Sequence, residues 1–326
     1  MQNRIKLIIG GDVMLGGMIK NAIHQFGPKY PLEEIAYILQ KGDVTLINLE
    51  CVITDFNQKC SLIAIQSLID AGVNVVSLAN NHILDFSETG LFNTVDILNK
   101  IHLYHAGAGK NEHEAYSPAV FTKKNIKFGL AAFCNDQQAF AAHRNQPGMA
   151  YISLHNLREA IQCIQTAYHA LEAAKVDFPI LSINWQSNMI ERPTVQFIKI
   201  AHAAIEMGYK LLFGHGSHFF QGIEIYHGCP IIYEAGDLVD DSAINANFRN
   251  DHQLLFELDI VDKQIYNIIF YPVFIDHYKV MPATGDHFDY IAQRIQYLCN
   301  NLNTTVYSID KKLLLVELLI SGEHHP

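Results

Sequence analysis

A mixed α/β fold built on buried parallel strands is what this sequence predicts, on three observations. Apolar, β-rich runs alternate with amphipathic segments through the first two thirds of the chain. Four of those runs end in polar clusters: Asp12 after KLIIGG, Glu50 after VTLINL, Asn81-His82 after VNVVSLAN, and His215 and His218 after KLLFG. Past Gln221 the texture changes to short runs joined by tight turns such as His227-Gly228, the pattern of an antiparallel region.

In chain order, strands are expected at Lys6–Gly10, Val44–Asn48, Val73–Leu78, Ile126–Phe133, Phe178–Asn184 and Lys210–Phe213. Helices are expected between them at Leu32–Gln40, Ser61–Asp70, Glu88–Asn99, Leu154–Ala174 and Pro193–Met207. The antiparallel strands follow at Ile223–Tyr226, Pro230–Tyr233, Gln253–Asp259 and Gln264–Tyr271. After the turn-rich ATGDHFD, Phe288, Ile291, Ile295 and Leu298 recur at helical spacing, and the almost wholly apolar Lys311–Ile320 is a buried final strand. No repeat or low-complexity linker divides the chain, so the expectation is one main domain over 1–280 with a C-terminal extension, 281–326, packed on it.

Composition narrows the function. With 326 residues and 49% hydrophobic content the chain can bury a large core. A net charge of -10 argues against a general nucleic-acid binder, which needs a basic face. No apolar run reaches the roughly 18 residues that span a bilayer, and the apolar part of MQNRIKLIIGGD is too short for a signal peptide. The expectation is a cytoplasmic protein without a membrane anchor. The six cysteines are scattered with no CxxC, which disfavours a disulfide framework or a thiolate zinc site. His113, His143, His227, His252, His324 and His325 lie in polar, loop-like surroundings and are expected at the surface.

The four polar clusters carry the chemistry. Buried parallel strands ending in carboxylate, amide or imidazole bring ligands to one rim, although the same residues also cap helices and make turns. Two divalent ions sharing a carboxylate generate a hydroxide nucleophile and stabilise a displacement at phosphorus or a carbonyl carbon. The residue types fit such a centre: Asp12 to hold one ion, Glu50 to bridge, Asn81 to offer an amide oxygen, and His215 and His218 to bind one ion each. Mixed oxygen and imidazole ligation suits manganese, iron or zinc rather than calcium. His82, pointing away from its neighbour Asn81, is a candidate general acid, and Asp85 either orients its ring or caps the following helix. Trp185 either lines a substrate pocket or packs in the core. Arg192 either clamps an anionic substrate group or is a surface charge. Gly107 and Gly109 in HAGAGK form a tight turn rather than a phosphate loop.

The segments GDVMLG, INLE, SLANNHILDFSETGL, HAGAGKNEHEA, NW with the following RPT, and GHGSHFFQGIEIYHGCPIIYEAGDLVDD, in this order, resemble the CapA family of capsule and poly-γ-glutamate biosynthesis proteins. The resemblance covers roughly residues 5 to 275. It implies a four-layer α/β/β/α sandwich like that of calcineurin-like metallophosphoesterases, with a dinuclear metal centre. Carried over by residue, it implies metal ligation by Asp12, Glu50, Asn81, His215 and His218, with His82 and Asp85 as acid and orienter. Three positions depart from the family pattern: Asn184 stands where a histidine commonly precedes the tryptophan, Ser217 replaces the proline of GHxPH, and Asp237 follows Gly236 where GN is usual. An asparagine oxygen can still bind a hard cation, so Asn184 joins the candidate ligands. The Asp237 carboxylate either repels an anionic substrate or binds metal. The expected function is a metal-dependent hydrolase acting on a phosphoester, or on an amide of a glutamate-containing polymer or cell-wall peptide. The alternative is a non-catalytic accessory protein with a weakened metal site.

Overall fold

Two β-sheets face each other in the computed structural model, which describes residues 3–54, 62–185 and 190–318. The first sheet is 10-stranded and is centred on Arg4–Val13. On one side of that strand Val44–Leu49, Val75–Ser77 and Tyr104–Ala106 continue in parallel; on the other, His252–Val261 and Gln264–Asp276 run antiparallel. The second sheet is 6-stranded, with Phe178–Asn184 between Leu211–His215 and Ile126–Cys134 in parallel.

Strand alternation explains how the layers stack. Along the second sheet Phe128, Leu130, Ile180, Leu211 and Phe213 join the core shared with the first sheet. Their neighbours Ala131, Phe133, Leu181, Ile183 and Leu212 join a separate core under the helices Leu157–Ala173 and Val195–Met207. The first sheet packs its outer face on Gly17–Phe26, Leu62–Ala71 and Ser87–Lys100 through Ile19, Ile23, Leu68, Leu91 and Leu98. The result is the α/β/β/α sandwich. The helix Asp286–Asn300 buries Phe288, Ile291, Ile295 and Leu298 in the same core, and Leu314–Glu317 adds to the sheet edge beside Gln264–Asp276.

Several expected elements shift for identifiable reasons. The helix expected from Leu154 begins at Leu157 because the Asn156 side chain accepts from Glu159 N, and the one expected from Pro193 begins at Val195 because Thr194 caps Phe197 N. Leu32–Gln40 contracts to the single turn Ala36–Leu39. The helix Gly17–Phe26, whose start lies in the pair Gly16-Gly17, went unread although Ile19, Ala22 and Ile23 have helical spacing. Ser61 and the end of the expected Lys311–Ile320 strand lie outside the described residues.

Candidate metal centre

The strand Arg4–Val13 has parallel partners on both sides at its carboxyl end, and this sets three polar side chains in a row. Asp12 is in register with Asn48 on one side and with Asp237 of the short strand Asp237–Val239 on the other. The approach is close enough that a Cβ on Gly11 would lie 1.7 Å from Gly236 O, so only glycine fits there. Glu50 follows Leu49 directly, its amide held by Val13 O at 3.0 Å. Asn48 knits the group together by donating to Asp12 Oδ1 at 2.7 Å and to Glu50 Oε1 at 3.2 Å.

The second sheet closes the site from the other side. Alternation turns Ser182 and Asn184 toward the first sheet, with His215 in register beside Asn184. Asn184 Nδ2 donates to Glu50 Oε1 at 3.3 Å, and Gly216 N donates to Asp12 Oδ2 at 2.9 Å. Gly216 adopts φ +108 with its Cα hydrogens against the Asn184 amide. His215 Nε2 meets Ser182 Oγ at 2.8 Å, while its Nδ1 stands 3.4 Å from Asp12 Oδ1. His218 sits at φ +68, a conformation that costs a non-glycine residue energy, and its Nδ1 donates to Asp237 Oδ1 at 3.2 Å. Asp240 Oδ2 lies 3.9 Å from the same nitrogen.

Burial dominates the electrostatics. It pushes the Asp12 carboxyl up to about 6, against hydrogen bonds from Asn48 and Gly216 that pull it down. Glu50 is held well above the usual carboxylate range by burial and then by the neighbouring Asp12 charge. Burial also raises Asp237, to about 8, despite its hydrogen bond with His218. That hydrogen bond and nearby carboxylates raise His218 to about 11, whereas burial lowers His215 to about 3 and keeps its ring neutral.

These residues fit a divalent cation. Asn184 Oδ1, His215 Nδ1 and Asp237 Oδ2 are all buried without a hydrogen-bond partner. With the ring proton assigned to Nε2, which Ser182 Oγ accepts, the His215 Nδ1 lone pair faces the Asp12 carboxylate, an arrangement that is repulsive without positive charge between them. His218, Asp237 and Asp240 place one ligand atom each within 4.8 Å of one another, the one such cluster of His, Cys, Asp and Glu among the described residues.

The other predicted residues fall into three groups. His82 Nδ1 pairs with Asp85 Oδ2 at 2.8 Å, and both line a cavity of about 430 Å³ together with Met14, Lys20, Cys51 and Asp241. Of these, Met14, Cys51, His82 and Asp241 lie within two residues of Asp12, Glu50, Asn81 and Asp240 respectively, so the cavity opens at the same rim. Asn81 is half-buried and makes no side-chain hydrogen bond among the described residues; the neighbouring Asn80 is instead buried and donates to Asn48 Oδ1 at 3.1 Å. Trp185 and Arg192 lie apart from this cavity. Alternation sends Trp185 to the opposite face from Asn184, fully buried and stacked on Phe197 at 4.5 Å. Arg192 is exposed and donates to Tyr297 Oη of the C-terminal helix at 2.6 Å. Neither lines the cavity at the rim. A larger cavity, about 920 Å³, lies beside Glu112–Tyr116 and holds none of the residues above.

Sequence reasoning missed Asn48, Ser182, Glu234 and Asp240. The first two were findable, since each stands two residues before a chosen one on the same strand face, Glu50 and Asn184 respectively. Glu234 is wholly buried, accepts from Ser217 N at 3.2 Å and is raised well above the carboxylate range by burial and then by Asp12; nothing in YEAGD separates it from a turn residue.

Fold and rim together define an α/β sandwich with a candidate metal centre where its two sheets meet. The profile of the family described as bacterial capsule synthesis protein PGA_cap matches residues 6–242, and the chain belongs to that family. It is 29% identical over 310 residues to a probable polyglutamine synthesis accessory protein of Mycobacterium tuberculosis, covering 88% of this chain and 81% of that one. It is similar to the capsule biosynthesis protein CapA of Bacillus anthracis, 22% identical with 73% and 60% covered, and to the PGA biosynthesis protein CapA of Bacillus subtilis, 25% identical with 71% and 62% covered. No helix among the described residues is long and apolar enough to cross a membrane.

Proposed function

We propose that this chain is a metal-dependent hydrolase acting on a phosphoester, or on an amide of a glutamate-containing polymer or cell-wall peptide. One observation carries the reading: buried donors from two sheets converge with their lone pairs unpartnered, at Asn184 Oδ1, His215 Nδ1 and Asp237 Oδ2. In this reading Asp12, Glu50, Asn81, Asn184, His215 and His218 hold two divalent ions, manganese, iron or zinc. Ions bound there supply Lewis-acid charge and lower the pKa of water.

The protein's own groups do the rest. Ser182 fixes the His215 ring through Nε2, and Asn48 holds the Asp12 and Glu50 carboxylates at one spacing. Asp85 accepts from His82 Nδ1, which fixes the imidazole and leaves Nε2 to deliver a proton to a leaving group. Lys20 and the Asn21 amide, in the wall of the same cavity, offer recognition of an anionic substrate. The glutamate polymer follows from the relatives, whose names refer to capsule, PGA and polyglutamine synthesis.

The test pairs elemental analysis of protein purified without chelator with hydrolysis of an aryl phosphate and of γ-glutamyl oligomers. Bound metal with turnover of either substrate supports the hydrolase. Bound metal with turnover of neither sinks it in favour of an accessory role, the word that the mycobacterial relative's name carries.

A further inference from the structure

We infer that Asp237 and Asp240, together with His218, ligate a divalent ion in this protein, and that their carboxylates tilt the centre toward a hard ion, manganese, relative to what the imidazoles alone would favour. The inference deepens the proposed metal centre and rests on that reading.

The geometry is the first ground. One ligand atom each from His218, Asp237 and Asp240 lies within 4.8 Å of the others. Ligands at roughly 2.0–2.2 Å from one ion stand at most about 4.4 Å apart, so the cluster needs to close by only a few tenths of an ångström. Asp237 is 1% exposed, and its Oδ2 has no hydrogen-bond partner. A buried carboxylate oxygen left without a donor is costly, which makes it a site in want of a cation or proton donor.

Charge is the second, independent ground. Asp237 is in register with Asp12 on a neighbouring strand, about 4.8 Å away by strand spacing. Asp12, Glu50, Asp237 and Asp240 thus bring four carboxylates to one rim. Among the described residues no lysine or arginine pairs with any of them; the ion pairs they make are to His215 and His218 alone. Glu234, buried beside Asp12, adds a fifth carboxylate, so the rim gathers more negative charge than its histidines offset.

Ligand hardness then separates the ions. Carboxylate oxygens suit manganese, while imidazole suits zinc and iron. The Asp237–Asp240–His218 position has two carboxylates to one imidazole, so removing a carboxylate should weaken manganese more than zinc, even though zinc binds more tightly in absolute terms.

The experiment titrates metal-free full-length protein with MnCl2 and, separately, ZnCl2 by calorimetry, with the manganese electron paramagnetic resonance signal as a second readout. Asp237→Asn should weaken manganese binding at least tenfold and zinc binding less. Asp240→Asn, a change at a more accessible position, should move both in the same order by a smaller factor. Unchanged manganese affinity and stoichiometry in Asp237→Asn would overturn the inference. Should that variant not fold, the same null result in Asp240→Asn overturns it. Wild type binding neither ion defeats this inference and the metal centre together, whereas metal binding without hydrolysis defeats only the hydrolase.

Discussion

The two sheets meet at one rim but bring different chemistry to it. The first contributes carboxylates, Asp12, Glu50 and Asp237; the second contributes an amide and a neutral imidazole, Asn184 and His215. Each half alone is unfavourable. The carboxylates crowd one another in a desolvated place, and the neutral donors are buried with unpartnered lone pairs. A cation between them would resolve both, so the contrast shows why the proposed metal centre falls where the two sheets meet.

The largest effect is expected where the second sheet has no part in the site. Trp185 packs on Phe197 in the helix-side core, so Trp185→Ala should cost about 3–5 kcal/mol in denaturant unfolding while leaving the metal affinity of the folded fraction intact. A loss of metal affinity alone, without loss of stability, would put Trp185 back at the rim. Next comes the carboxylate side. Glu50→Gln keeps shape but removes a buried charge, and metal content should fall roughly tenfold or more, well beyond the change in Asp85→Asn. Equal metal content in the two variants would break the bridging role assigned to Glu50.

The pH dependence has a definite sign. Asp12, raised from 3.8 to about 6, contributes stability that is present below about pH 3.8 and lost as pH climbs through about 6; Asp237 does the same through about 8. His218, raised from 6.5 to about 11, has its full contribution below about pH 6.5 and loses it progressively up to about 11, which adds to the same slope. Metal-free protein should therefore melt at lower temperature at pH 8.5 than at pH 5.5. Saturating manganese should flatten or reverse that slope, because the ion replaces protons at the same oxygens. Parallel slopes with and without metal would contradict the assignment. The smallest effect is at Asn184: Asn184→His should tighten zinc by several fold, ~1 kcal/mol, since imidazole is the better donor to zinc. Identical titrations would remove Asn184 from the ligand set.

Much of this arrangement was legible in the sequence because strand ends are. Asp12, Glu50, His215 and His218 each follow an apolar run, and the fold places them at one rim as that pattern implies. What sequence could not convey was register. That Asp237 lies beside Asp12 depends on a three-residue strand, Asp237–Val239, inserted after the chain has left the second sheet, and no local signal marks it. That Asn80 rather than Asn81 packs beside Asn48 is likewise a matter of turn geometry, which buries Asn80 against Leu49 O at 2.8 Å. Trp185 was ambiguous for a simpler reason: alternation gives it the opposite face from Asn184, but a lone tryptophan at the end of a strand is compatible with either role until the helices are placed.

The central claim is that the seam between the sheets holds divalent metal, and metal content per folded chain tests it most directly. Protein saturated with manganese and freed of excess ion should carry about two ions per chain by elemental analysis, and the double variant Asp12→Asn, His215→Ala should carry at least tenfold less while remaining folded by circular dichroism. Equal metal content in wild type and double variant, or none in either, would contradict the account.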